Sequence, residues 1–109
     1  MTVAAKIVVA PEFSSFREFY PFYLTQHENV VCRRLHVVGT VLSVGTLVTA
    51  TTTGAWWLLP LVPVFGYGPS WVGHFFFEHN RPATFRNPLY SFLGDLVMTK
   101  DVLTGKIPW

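Results

Sequence analysis

From residue 35 to residue 77 the chain runs 43 positions without Asp, Glu, Lys or Arg, and a histidine stands near each end of that stretch, His36 and His74. One spanning helix needs about 20 apolar residues, so the stretch is long enough to cross a bilayer and return. Its two halves differ. With Asn29 as N-cap, residues 30 to about 53 read as one helix whose apolar part, 35–51, is 17 residues long, or about 25 Å. His36, Gly39, Thr40, Ser43 and Leu47 share a face there, and small or hydroxylated residues let a neighbouring helix approach closely. Trp56 and Trp57 mark the far interface. The return, 56–77, carries Pro60, Pro63, Gly66, Gly68 and Pro69, which predicts a span broken into two pieces with 66–69 as the joint. Non-helical backbone at membrane depth needs protein or a watery cavity around it, so a cavity is expected beside the joint. In the second piece Ser70, Trp71, His74 and Glu78 fall on one face.

Shorter elements flank the hairpin. Residues 13–26 predict a helix with Ser15 as N-cap and Glu18 completing a capping box; Pro21 either kinks it or marks a later start near Tyr20. Phe16, Tyr20, Tyr23 and His27 share a face, an aromatic stripe ending in an imidazole, and interfacial anchoring is the plain role for such rings. Asn87-Pro88 opens a last helix with an apolar stripe of Leu89, Phe92, Leu93, Leu96, Val97 and Leu103, while Asp95, Lys100 and Asp101 lie mostly off it; it reads as an interfacial helix. The fold class is therefore all-α, a small helical membrane protein with a two-span hairpin and interfacial helices at both ends. Residues 1–109 form a single membrane-embedded domain.

Composition sharpens this picture. The chain is 50% hydrophobic and 13% charged, against about a quarter charged in an average soluble protein. The alternative is a soluble chain that buries the stretch in a helical core or an oligomer. A net charge of +2 without a basic patch excludes nucleic acid as a partner. Arg33 and Arg34 precede the first span, Arg81 and Arg86 follow the second, and the turn between is uncharged, so both termini and the histidine-bearing end are expected on the cytosolic side. The apolar run at 7–10 is too short for a signal-peptide core. The lone Cys32 fits a reducing compartment.

All four histidines gather near one interface. On one unbroken helix His27 and His36 would point to opposite sides about 13 Å apart along the axis, but the break at Asn29 lets the two rings meet. His74 arrives at the same depth, with Glu78 one turn beyond. Three nitrogens and a carboxylate suit iron(II), zinc or manganese, and none of the zinc-finger or zinc-protease spacings occurs. A single interfacial histidine is more often a packing residue; three at one depth favour a metal. His79 points off the His74 face and reads as a surface histidine, and Cys32 as a buried thiol. Arg33, Arg34 and Arg81 anchor at anionic headgroups, or one of them holds a fatty carboxylate.

The stretches Phe22-Tyr23-Leu24-Thr25-Gln26-His27, Asn29 through Cys32-Arg33-Arg34-Leu35-His36 to Gly39-Thr40, and Trp71-Val72-Gly73-His74-Phe75-Phe76-Phe77-Glu78 into Asn80-Arg81-Pro82-Ala83 resemble a family of small membrane proteins. Its characterised fungal member is an iron(II)-dependent dioxygenase of 2-hydroxy fatty acids, acting in the breakdown of phytosphingosine to odd-chain fatty acids. The resemblance covers about residues 13–100. It implies α-oxidation: Fe(II) and O2 remove the carboxyl carbon of a 2-hydroxy fatty acid, leaving an acid one carbon shorter, with membrane lipid around the protein. Matched residue by residue, the family's histidines fall on His27, His36 and His74 and its acidic residue on Glu78. Three protein ligands leave sites open on iron for the substrate's hydroxyl and carboxylate and for O2, with the alkyl chain in the bilayer or in the cavity beside 66–69. Glu78 is expected to orient a histidine, Tyr23 or Asn29 to hydrogen-bond the substrate, and Arg81 to meet its carboxylate. Two rival readings fit the same residues: a membrane electron carrier with two histidines on haem, and a non-enzymatic lipid-organising protein whose histidines pack.

Overall fold

A computed structural model describes residues 13–81 and 86–109, and all regular structure in them is helical. The apolar run at 7–10 and the Pro82-Ala83 pair lie outside the described residues. Helix α1, Phe16–Thr25, begins where Ser15 accepts a hydrogen bond from the Glu18 amide at 3.2 Å. The Glu18 carboxylate reaches one residue further back than a capping box requires, to the amide and hydroxyl of Ser14. The helix runs from Phe16 through Pro21 rather than starting near Tyr20.

Helix α2, Val30–Thr53, starts where Asn29 Oδ1 accepts from the amides of Val31 and Cys32, and it ends on the left-handed Gly54. After a 3-10 turn, Trp56–Leu58, helix α3, Leu61–Val72, returns antiparallel along α2. The register follows from paired contacts. Ser43 Oγ donates to Val62 O at 2.8 Å, Gly39 faces Phe65 and Pro69, Ser70 reaches His36, and Gly73 lies against Cys32.

The predicted break at 66–69 is not there: α3 is regular α-helix through Gly66, Gly68 and Pro69. The proline has no N–H to offer the Phe65 carbonyl one turn back. That carbonyl instead lies against Gly39, where a Cβ would stand 2.6 Å from it, so the neighbouring backbone covers the group that proline leaves bare. Regularity is lost one turn later, in a π-helical segment over Gly73–Glu78 that ends at His79 in the left-handed region, φ 59°.

Helix α4, Pro88–Leu103, packs across α1 and α2. Its inward face is Ser91, Gly94, Met98, Thr99, Asp101 and Val102, and the apolar stripe of Leu89, Phe92 and Leu103 is exposed. Small residues on the inward side let the helix settle on the α1 rings, and Phe19, Tyr23, Val37, Met98 and Val102 form the core. The α1 aromatics weighed as interfacial anchors are thus in part core residues: Phe19 and Tyr23 are completely enclosed.

Among the described helices α2 is the one long and apolar enough to cross a membrane, and 28% of its most apolar window is buried. The hairpin expected from the sequence is present as a packing unit of α2 and α3. By length and apolarity it contains one candidate span, not two.

Candidate metal centre

Three chain segments converge where α1 ends, α2 begins and α3 finishes. His27 lies in the turn after α1, its amide donating to Leu24 O. His36 is on the inner face of α2, and His74 is near the start of the π-helical segment. All three rings are buried, and their Nε2 atoms face one another, His36 at 3.1 Å from His27 and 2.9 Å from His74. One nitrogen from each ring lies within 4.8 Å of the other two, an arrangement that could hold a metal ion.

The opposite edge of each ring decides what those Nε2 atoms carry. His27 Nδ1 lies 2.6 Å from the Tyr23 carbonyl, which can only accept. His36 Nδ1 lies 3.0 Å from Asp95 Oδ1, again an acceptor, with Ser70 Oγ farther off at 3.3 Å. His74 Nδ1 lies 2.6 Å from Asn80 Oδ1, and that amide is oriented because its Nδ2 donates to the backbone and side-chain oxygens of Gln26. Each Nδ1 therefore carries a proton, and each Nε2 of a neutral ring presents its lone pair to the centre. Three lone pairs at these separations repel one another unless a cation sits among them, and ring nitrogens anchored from behind are how metal-binding histidines are held.

Burial, followed by the neighbouring His36 and His74 rings, holds His27 uncharged well below its ordinary 6.5. In an unfolded chain the same ring takes up a proton near 6.5, so under acid the unfolded state binds more protons and stability falls as pH falls. The metal-free protein is expected to show a denaturation midpoint that declines as pH drops below about 6.5. Denaturant titrations between pH 8 and pH 5, compared with His27→Gln, check this: the variant's decline should be shallower.

The other residues singled out in the sequence occupy distinct places. Glu78 accepts from the Asn29 amide at 2.6 Å and makes no hydrogen bond to a histidine; the carboxylate on the cluster is Asp95. Asn29 caps α2 and donates to Phe77 O, tying the two ends of the hairpin together. The Tyr23 ring stacks on His27 with centroids 4.0 Å apart, and its hydroxyl donates to Asp95. Arg81 is exposed, beside Phe75, His79 and Asn80 in a shallow surface depression. His79 is exposed, and Cys32 is a buried thiol outside the histidine group. Arg33 and Arg34 donate to the carbonyls of Pro108 and Trp109.

Asp95 and Asn80 are the positioning groups that sequence reasoning missed. A signal for Asp95 is present: with Ser91 and Gly94 it interrupts the apolar pattern of α4, and small residues beside one acid mark the packed side of a helix. Asn80 stands in a stretch that carries the resemblance, but no local pattern ties it to His74: the end of the π-helical segment brings it back onto that ring.

Below the cluster a cavity of about 240 Å³ opens between α2, α3 and α4, lined by Thr40, Ser43, Val62, Gly66, Phe92 and Asp95 among others. It lies beside Gly66, where the sequence reading expects one, but the reason differs: small side chains on packed, regular helices leave the space.

Over residues 13–107 the chain matches the model of a family described as 2-hydroxy-palmitic acid dioxygenase Mpo1-like. No curated protein and no solved structure matches it.

Proposed function

Because this chain belongs to the 2-hydroxy-palmitic acid dioxygenase Mpo1-like family, we propose that it is an iron(II)-dependent dioxygenase that shortens 2-hydroxy fatty acids by one carbon at a membrane surface. The observation that carries the reading is the convergence of three Nε2 atoms on one point, with an acceptor behind every Nδ1. His27, His36 and His74 would hold the metal, and iron supplies the means of activating O2 while leaving positions for a hydroxyl and a carboxylate. The overall reaction balances with O2 alone: the 2-hydroxy acid and O2 give the shortened acid, CO2 and water. Four electrons pass from the two terminal carbons to oxygen.

The chain's own residues have three tasks in this scheme. They aim the Nε2 atoms, hold the ring planes, and keep bulk water from the centre, which the near-complete burial of His27 and His74 supports. Arg81 at the rim is proposed to meet the incoming carboxylate, and Tyr23 and Asn29 to fix the site's walls. Glu78 joins the two ends of the hairpin at the rim. The haem reading loses its support from the geometry: the three rings meet nearly edge to face with centroids 4.2 to 4.8 Å apart, leaving no slot for a porphyrin between two of them.

The membrane part of the proposal rests on the outer surface of α2. Val38, Val41, Leu42, Val44, Leu47 and Val48 are each 43% exposed or more, a continuous apolar face that water would penalise and lipid would not. With α2 spanning, α3 and its π-helical extension return beside it, both chain ends lie on the cytosolic side, and Trp56 and Trp57 sit at the far headgroups. The histidines then stand where lipid meets cytosol, and the cavity beneath them takes the substrate's alkyl chain.

Two experiments test this. Purified protein reconstituted anaerobically with iron(II) and then given O2 and a 2-hydroxy long-chain acid should release the acid one carbon shorter; no such product at any chain length would overturn the proposal. Gly66→Leu should shift the preference toward shorter acids. A Cβ at Gly66 makes ordinary contact with Ser43 at 3.5 Å, so alanine fits, whereas leucine fills the cavity. Turnover of a long-chain acid is expected to fall at least about tenfold with a medium-chain acid spared, given that one methylene in an apolar pocket changes discrimination by about 10–200-fold. Equal losses at all lengths would place the chain elsewhere.

A further inference from the structure

We propose that Tyr23 and Asp95 act as a paired positioning device that sets how strongly His36 donates to the metal, with the Tyr23 hydroxyl moderating the Asp95 carboxylate. The inference rests on the metal reading above and goes beyond it, since nothing in that reading assigns either residue a part in tuning the centre. One oxygen, Asp95 Oδ1, accepts from both His36 Nδ1 and the Tyr23 hydroxyl. The three groups come from α1, α2 and α4, so the junction forms only when all three helices are docked.

The packing holds this junction tightly. Tyr23 is 1% exposed, its ring stacks on His27, and its own carbonyl holds His27 Nδ1, so one residue touches two of the three imidazoles, His27 directly and His36 through Asp95. On α4 the residue before Asp95 is Gly94, where a Cβ would lie 2.9 Å from the Tyr23 ring. Nothing larger than glycine lets α4 come close enough for Asp95 to reach both partners. Ser70 does not substitute for the carboxylate: its hydroxyl donates to Gly66 O at 2.9 Å, and it stands farther from His36 than Asp95 does.

The physical consequence has a definite sign. An anion on the far nitrogen of a ligating imidazole makes that ring a stronger donor and favours the more highly charged metal. Removing the anion should therefore favour iron(II) over iron(III). Removing the Tyr23 donor leaves more charge on Asp95 and should favour iron(III).

The test uses full-length protein loaded with iron and reads affinity and the iron(III)/iron(II) midpoint potential, not turnover. Asp95→Asn is expected to weaken iron binding about 10–100-fold, the usual cost of losing such a partner, and to raise the potential. Tyr23→Phe, which keeps the ring against His27 and Gly94, is expected to retain iron and lower the potential. Opposite shifts support the pair, because a merely structural role would weaken binding in both without opposed potentials. Potentials unchanged in both, or shifted in the same direction, overturn the proposal. Should Asp95→Asn fail to fold, Tyr23→Phe decides: an unchanged or raised potential in that variant is fatal. If the unaltered protein itself binds no iron, the functional reading falls first, and that result is distinguishable from a failure of the pair.

Discussion

Alanine at His36 is expected to abolish iron binding at the proposed site. His36 is the middle ring of the three: its Nε2 lies 3.1 Å from that of His27 and 2.9 Å from that of His74, and no other ring nitrogen approaches both as closely. Its loss leaves two ligands and strands Asp95, whose carboxylate keeps only the Tyr23 hydroxyl and the edge of the cavity. The loss of affinity should exceed the ~10–100-fold that an outer partner costs, because a bond to the metal itself is removed. Iron per chain after anaerobic loading and desalting should drop from near one to near background, and turnover with it. His27→Ala and His74→Ala should behave alike, whereas His79→Ala, on an exposed residue, should keep its iron. Full metal content in all three core variants would sink the site, and a lipid-organising role without metal would then be the better account.

The second large effect is expected at Gly39. An added Cβ would stand 2.6 Å from Phe65 O, a backbone atom that cannot swing aside, and 3.3 Å from two atoms of the Pro69 ring. Alanine there must push α3 away from α2 at the point where the proline leaves the Phe65 carbonyl without its helical donor. Overpacking of this kind costs about 1–3 kcal/mol and sometimes more. The displacement also lies within about a turn of His36 on α2 and five residues before His74, on the two elements that bring those rings together, so iron affinity should fall together with stability. Gly45 supplies the control, since nothing lies within 4 Å of its missing Cβ. Gly45→Ala should be neutral or stabilising by up to about 1 kcal/mol through helix propensity. Denaturant titration of the two variants in one detergent checks the contrast; equal stability for both would mean that α2 and α3 do not pack as described.

Much of this architecture could be read from local pattern. The long uncharged stretch, the cap at Asn29, the cap at Ser15, the aromatic face of α1 and the start of α4 after Asn87 depend on neighbours within a few positions, and the structure reproduces them. The joint expected at 66–69 is absent because what proline and glycine remove from their own helix depends on what packs against it. Gly39, 30 positions away in sequence from Pro69, lays the α2 backbone over the carbonyl that lacks its donor. The α1 aromatics depend on their neighbours in the same way: Phe19 and Tyr23 would suit an interface, but α4 lies over them.

Sequence by itself determined that three histidines could reach a common depth, because hydrophobic periodicity and the break before Asn29 are local properties of the chain. Only the tertiary structure decided which nitrogen of each ring faces the centre. That choice belongs to Tyr23 O, Asp95 and Asn80, acceptors brought to the rings by a turn of α1, by the small inward face of α4 and by the π-helical end of α3. The pattern of α4 marks Asp95 as inward but not its partner: which ring it meets, 59 positions away, is decided only once the helices have closed around them.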